Sequence, residues 1–84
     1  MPKRVVMWSS IARAELRAID RETALRILQA IDRHMETGEG DVIKLQPPRT
    51  DWRLRVGDYR VMFRPIDERT IEALRVRHRG AAYR

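Results

Sequence analysis

The sequence predicts an α+β fold: an antiparallel β-sheet with an N-terminal antiparallel helix pair packed on one face, in the order β-α-α-β-β-β. Three observations lead there. Between residues 9 and 38 apolar side chains recur at helical spacing between capping residues. Residues 52–64 alternate apolar and charged around a Gly-Asp turn, and residues 71–77 alternate again. With 84 residues the chain makes one domain, spanning 1–84. A chain of this size buries only about 60–65% of its extended surface, so helices and sheet must share one interior.

Taken in order, residues 3–8 (Lys-Arg-Val-Val-Met-Trp) read as a first strand. Ser9 and Ser10 are favourable N-caps, and Ala12, Leu16 and Ile19 then share one face of a short helix ending near Asp20. Asp20 can cap a second helix. Its apolar positions Ala24, Ile27, Leu28, Ile31 and Met35 follow i, i+3, i+4, i+7, i+11, with Arg21, Arg26, Asp32, Arg33 and Glu36 opposite. Gly38 is a natural stop, because the residue after a helix favours the left-handed conformation. Residues 39–51, with Pro47-Pro48, read as a linker from the helices to the sheet. Asp67-Glu68-Arg69 marks the turn before the last strand.

The stretch 52–64 reads as a hairpin. Gly57 and Asp58 suit a two-residue turn whose first position needs φ > 0. Closing it with Val56 and Tyr59 sets the register. Leu54 then faces Val61 and Trp52 faces Phe63 on the core side; Arg55 lies opposite Arg60, and Arg53 opposite Met62, on the other. Like charges directly across a strand pair are destabilising, and an anion between Arg55 and Arg60 would turn that repulsion into binding. In the last strand Leu74 and Val76 share the core face, and Arg75 and Arg77 the other. The second face of the sheet therefore presents Arg53, Arg55, Arg60, Arg64, Arg75 and Arg77, with Arg79 just beyond and acidic residues nearly absent.

Charge supports this reading. The net charge is +6, and it is uneven: residues 1–48 carry 8 Lys and Arg against 7 Asp and Glu, whereas residues 49–84 carry 10 Arg, no Lys and 5 Asp and Glu. Arginine offers a planar fork of donors suited to phosphate, so clustered arginine is a nucleic-acid footprint, although an acidic protein would fit the same charge. There is no cysteine, which excludes disulfides and thiolate metal sites. No His, Asp or Glu cluster has metal-ligand spacing, there is no Gly-rich phosphate loop, and no cofactor is expected. No apolar run approaches the roughly 18 residues of a membrane span, and no signal peptide is recognisable, so a cytoplasmic chain with no membrane partner is expected. Trp8, Trp52 and His34 are read as core or helix residues rather than site residues.

The arrangement of strand, two helices, then Arg55-Val-Gly-Asp-Tyr-Arg60, then His78-Arg79 followed by Tyr83, resembles the RelE branch of the RelE/ParE toxin superfamily over nearly the whole chain. The resemblance implies the toxin of a type II toxin–antitoxin pair. Such a toxin is a ribosome-dependent, metal-independent endoribonuclease that cuts messenger RNA and is neutralised by a cognate antitoxin. In this reading Arg60 stabilises the scissile phosphate, Arg79 is a second clamp on the transition state, and Tyr83 orients the nucleophile or moves a proton. Arg53, Arg55, Arg64, Arg75 and Arg77 bind RNA. The family commonly has lysine near positions 53 and 55. Arginine, with a pKa above about 12, cannot replace a lysine that gives up its proton. His78, with a reference pKa of about 6.5, is the better-tuned base, and Tyr83 is the second candidate. Two other readings fit the chain: a ParE-like inhibitor of DNA gyrase that cuts no RNA, and a non-catalytic basic module that docks an antitoxin or RNA.

Overall fold

A computed structural model describes residues 5–82. The chain runs β1 (Val5–Trp8), α1 (Ser10–Arg17), α2 (Arg21–Thr37), β2 (Asp41–Lys44), β3 (Trp52–Val56), β4 (Tyr59–Pro65), β5 (Thr70–His78) and a single turn of helix, α3 (Arg79–Ala82). Lys3 and Arg4, expected to open the first strand, lie outside the described residues.

The helices form for the reasons their sequences give. Ser9 caps α1, its Oγ accepting the Ala12 N–H at 3.0 Å. Asp20 caps α2, its carboxylate accepting the Thr23 N–H at 3.0 Å. The helix stops at Gly38, which adopts φ 77°, left-handed backbone that disfavours a Cβ, and returns its N–H to the His34 carbonyl. The face of α2 buried against the sheet is Ile27, Ile31 and Met35, three of the five apolar positions expected there; Leu28 and Ala24 are half-buried.

The strands form one five-stranded sheet in the order β1-β5-β4-β3-β2. The hairpin has the expected register, with Trp52 opposite Phe63, Leu54 opposite Val61, Arg55 opposite Arg60 and Val56 opposite Tyr59. Its turn places Gly57 at φ 59°. The sheet departs from expectation in three ways.

First, residues 39–51 are not only a linker. Asp41–Lys44 pair with β3 as a fifth, edge strand. Four residues are too few for alternation to stand out, and the flanking Gly40 and prolines read as loop. Second, the sheet is mixed rather than antiparallel. β2 to β5 form a meander, but β1 runs parallel to β5, Val5 opposite Thr70 through Trp8 opposite Ala73. The helix pair carries the chain across the sheet to its far edge, so the meander returns to β1 in the same direction. Third, β5 contains a bulge. Met62 pairs with Arg75 but Phe63 pairs with Ala73, which leaves Leu74 as the extra residue. The core therefore takes Ile71 and Ala73 before the bulge and Val76 after it, and Leu74 is not part of it.

One interior results. Ile27, Ile31, Leu54 and Val61 are its largest fully buried side chains, with Ala12, Met35, Phe63, Ile71, Ala73 and Val76 around them. Trp8 and Trp52 pack against its margin. No described helix is long and apolar enough to cross a membrane.

The bulge gives a direct test of this core. Leu54→Ala is expected to cost about 2–5 kcal/mol of stability, and Leu74→Ala less than half of that, measured by urea denaturation. Equal losses would place Leu74 back in the core.

Candidate nucleic-acid interface

Because side chains alternate across a strand, burying Leu54, Val61 and Val76 beneath the helices turns their neighbours to the opposite face. Two rows result there. Arg55 on β3, Arg60 on β4 and Arg77 on β5 stand abreast, with Asp41 of β2 at the end of the row. Beside them run Ile43, Arg53, Met62 and Arg75. Arg60 is central and only 7% exposed. Three cations in register across neighbouring strands is an arrangement that stability alone disfavours.

The structure brings several of the sequence-identified arginines together and diverts others. Arg55, Arg60 and Arg77 form the row. Arg53 is adjacent and half-buried, its guanidinium 3.5 Å from the Asp41 carboxylate. Arg64, further along β4, pairs with Glu72 at 2.9 Å. Arg75 turns towards α1, where its Nε and Nη2 donate to both oxygens of Glu15 at 3.0 and 2.9 Å. The expectation that acids are nearly absent from this face is thus corrected. Asp41 arrives on the edge strand that the sequence did not reveal. Glu72 belongs to β5 before the bulge, where the parity is reversed.

Arg79 begins α3, at the same end of the sheet as the row. Its backbone N–H donates to the carbonyl of Asp58 in the hairpin turn at 2.6 Å. This ties the end of β5 to the β3–β4 turn. His78 is the last residue of β5 rather than the first after it. It pairs with Tyr59, and the two rings meet edge to face at 5.3 Å and 87°. Tyr59 packs against the core. The His78 ring therefore lies on the helix-covered side of the strand, and the structure does not bring it to the arginine row. Its Nδ1 lies 3.4 Å from the Gly80 N–H. Tyr83 lies outside the described residues.

Glu15 is the residue that sequence reasoning passed over. It sits on α1 and accepts the Val76 N–H at 2.8 Å in addition to both Arg75 bonds. Partial burial alone would raise its carboxyl. The hydrogen bonds from Arg75 and Val76 and the charges of Arg75 and Arg77 outweigh that and hold it below its ordinary range. The same pairing raises Arg75. The sequence held one signal for this: Glu15 is the single acid among the residues of α1.

On the helix-covered face, away from the row, an apolar groove lies among Met35, Trp52, Phe63 and Ile71. Among the described residues no three of His, Asp and Glu gather into a group that could hold a metal.

An open mixed sheet with two helices on one face is also the fold of toxin structures solved in toxin–antitoxin complexes. The chain superposes on RelE in the archaeal RelE–RelB complex of Pyrococcus horikoshii OT3 with a TM-score of 0.74 and 26% identity, over 95% of this chain and 98% of that one. For the RelB–RelE antitoxin–toxin complex of Methanococcus jannaschii the values are 0.72 and 22%, over 92% and 94%. For the YoeB dimer of Staphylococcus aureus they are 0.73 and 15%, over 92% and 98%. The last two show the shared fold. No curated protein sequence matches the chain. The family model for the ParE toxin of the type II toxin-antitoxin system, parDE, matches residues 6–83, and the chain belongs to that family. It is a type II toxin with a RelE-like structure.

The depressed Glu15 carboxyl fixes a pH dependence. A group whose folded pKa lies below its ordinary 4.5 stabilises the fold above that value, and the contribution fades as pH falls through the lower folded value. Glu15→Gln is expected to cost about 1–2 kcal/mol at pH 7, with the gap to the unaltered protein closing below pH 4.5. Thermal melts between pH 7 and pH 3 measure it. A gap constant across that range would exclude the carboxylate charge as its source.

Proposed function

We propose that this toxin is a ribosome-dependent endoribonuclease that cuts messenger RNA, blocks translation in the cytoplasm and is held in check by a cognate antitoxin. The observation that supports it most is the row Arg55–Arg60–Arg77 with Arg60 buried at its centre. A buried guanidinium held between strands is a fixed donor that need not reorganise when charge develops on a phosphate, and such preorganisation is often the largest catalytic contribution. A toxin that only docked on an acidic surface would gain as much from exposed arginines, which keep their hydration.

In this reading the RNA backbone lies across the row. Its 2′-hydroxyl oxygen attacks the adjacent phosphorus as the bond to the 5′-oxygen breaks, leaving a 2′,3′-cyclic phosphate and a 5′-hydroxyl. Arg60, with Arg77 and Arg79, carries the charge that builds on the phosphoryl oxygens. Arg53 and Arg55 hold the flanking backbone, and Arg64 and Arg75 add to the field. The 2′-hydroxyl proton must leave and a proton must reach the 5′-oxygen. Arginine supplies neither at working pH. We assign proton movement to Tyr83, the mechanism needing no metal ion, because the His78 ring lies against Tyr59 on the other side of the strand from the row. RelB partners RelE in the two matched complexes, and the antitoxin of this toxin is expected to meet the arginines with acidic residues.

One finding favours a second reading: the matching family model is that of ParE. In that case the toxin inhibits DNA gyrase and cuts no RNA.

Arg60→Ala is expected to lower ribosome-dependent cleavage at least 100-fold. Tyr83→Phe is expected to lower it about 100-fold or more, the usual range for a proton-transfer group, whereas His78→Ala is expected to change it little. The measurement is mapping of transcript ends on purified ribosomes. Intact transcripts together with blocked gyrase supercoiling would replace this reading with the second.

A further inference from the structure

The arginine row depends on a change of phase inside β5. Before the bulge, Ile71 and Ala73 face the core, and simple alternation from them would send Arg75 and Arg77 into it and Val76 out. The extra residue, Leu74, reverses this, so that Val76 is buried and Arg77 comes abreast of Arg60. A bulge leaves backbone groups without ladder partners, and β1 has already ended at Trp8, so no strand covers that edge of β5. The start of α1 covers it instead. The Ser9 hydroxyl donates to the Leu74 carbonyl at 2.9 Å, and the Ser9 N–H donates to the Ala73 carbonyl at 3.0 Å. Glu15 takes the Val76 N–H at 2.8 Å and grips Arg75 with both oxygens. One carboxylate thus holds a main-chain N–H on one side of Arg75 and the Arg75 side chain itself, and the Arg77 charge lies within its field.

We propose that Glu15 is a positioning residue of the phosphate site: by fixing the backbone of β5 at the bulge, it sets where Arg77 stands beside Arg60. This rests on the reading of the row as a phosphate site. Glu15 touches no substrate; it acts through Val76 and Arg75. A helix residue outside the basic face thereby controls the spacing of the cations on it.

The test uses the full chain and inorganic phosphate as probe, followed through the amide resonances of residues 75–79 and 60. Glu15→Ala is expected to shift those resonances and weaken phosphate binding at least fivefold. In the RNA cleavage assay its kcat is expected to fall at least tenfold, with a smaller change in KM. Glu15→Gln keeps an acceptor for Val76 and is expected to bind phosphate within twofold of the unaltered protein although it melts lower. Ile31→Val, a core change on α2 that leaves Ser9, Glu15 and the bulge unaltered, is the control for a matched loss of Tm and is expected to bind phosphate normally. Glu15→Asp, which keeps the charge but draws it back from β5, carries the test if Glu15→Ala does not fold, with about threefold weaker binding expected.

Phosphate binding unchanged in Glu15→Ala, or lost equally in Ile31→Val, overturns the proposal. An unaltered protein whose row does not respond to phosphate removes the site and the proposal together. An unaltered protein that binds phosphate but leaves RNA whole refutes the nuclease reading alone, since the resonance and phosphate measurements need no cleavage.

Discussion

The structure hangs on Val61. It is fully buried between Leu54 and Val76 at the centre of the three middle strands, under the apolar face of α2. A pleated strand has only two faces, so fixing Val61 inward fixes Arg60 outward, and the same holds for Leu54 with Arg55 and for Val76 with Arg77. The hydrophobic effect at one row thus determines the electrostatics of the next. In a core this small, slipping the register by one residue would expose three apolar side chains and bury three guanidinium groups, a change far larger than the net stability of a small domain.

That coupling explains how the fold tolerates an arrangement that is unfavourable in itself. Three arginines abreast repel, and a central one only 7% exposed has also given up much of its hydration. The apolar row behind them holds them in place. The cationic row is thus assembled against local preference and supported from elsewhere in the fold. The ion pairs around the row do the opposite: Arg64–Glu72 and Arg53–Asp41 lie at its margins, where they limit the spread of positive charge without neutralising its centre.

The bulge in β5 reconciles two demands on one strand. Its first half lies between β1 and β4 and supplies Ile71 and Ala73 to the interior; its second half, paired with β4, presents Arg77 beside Arg60. No strictly alternating strand with this sequence does both. The unpaired backbone that results is taken up by Ser9 and Glu15, so the N-terminal cap of α1 and the position of the cationic row are parts of one hydrogen-bonded unit.

The sequence by itself determined the two helices with their caps at Ser9, Asp20 and Gly38. It also determined the hairpin with its turn at Gly57, and with them the confrontation of Arg55 and Arg60. These follow from interactions within a few residues, or from a two-residue turn that allows one register. Tertiary structure alone decided four things. The parallel partnership of β1 and β5 joins segments more than 60 residues apart. β2 exists only because β3 offers it an edge. Leu74 leaves the core because β5 changes phase there, burying Ala73 before it and Val76 after it. Arg75 and His78, alike in the sequence to Arg77 and Arg79, turn to Glu15 and Tyr59. Local pattern says which residues alternate; which face meets the helices, and which cation finds a carboxylate, depends on what the rest of the chain brings alongside.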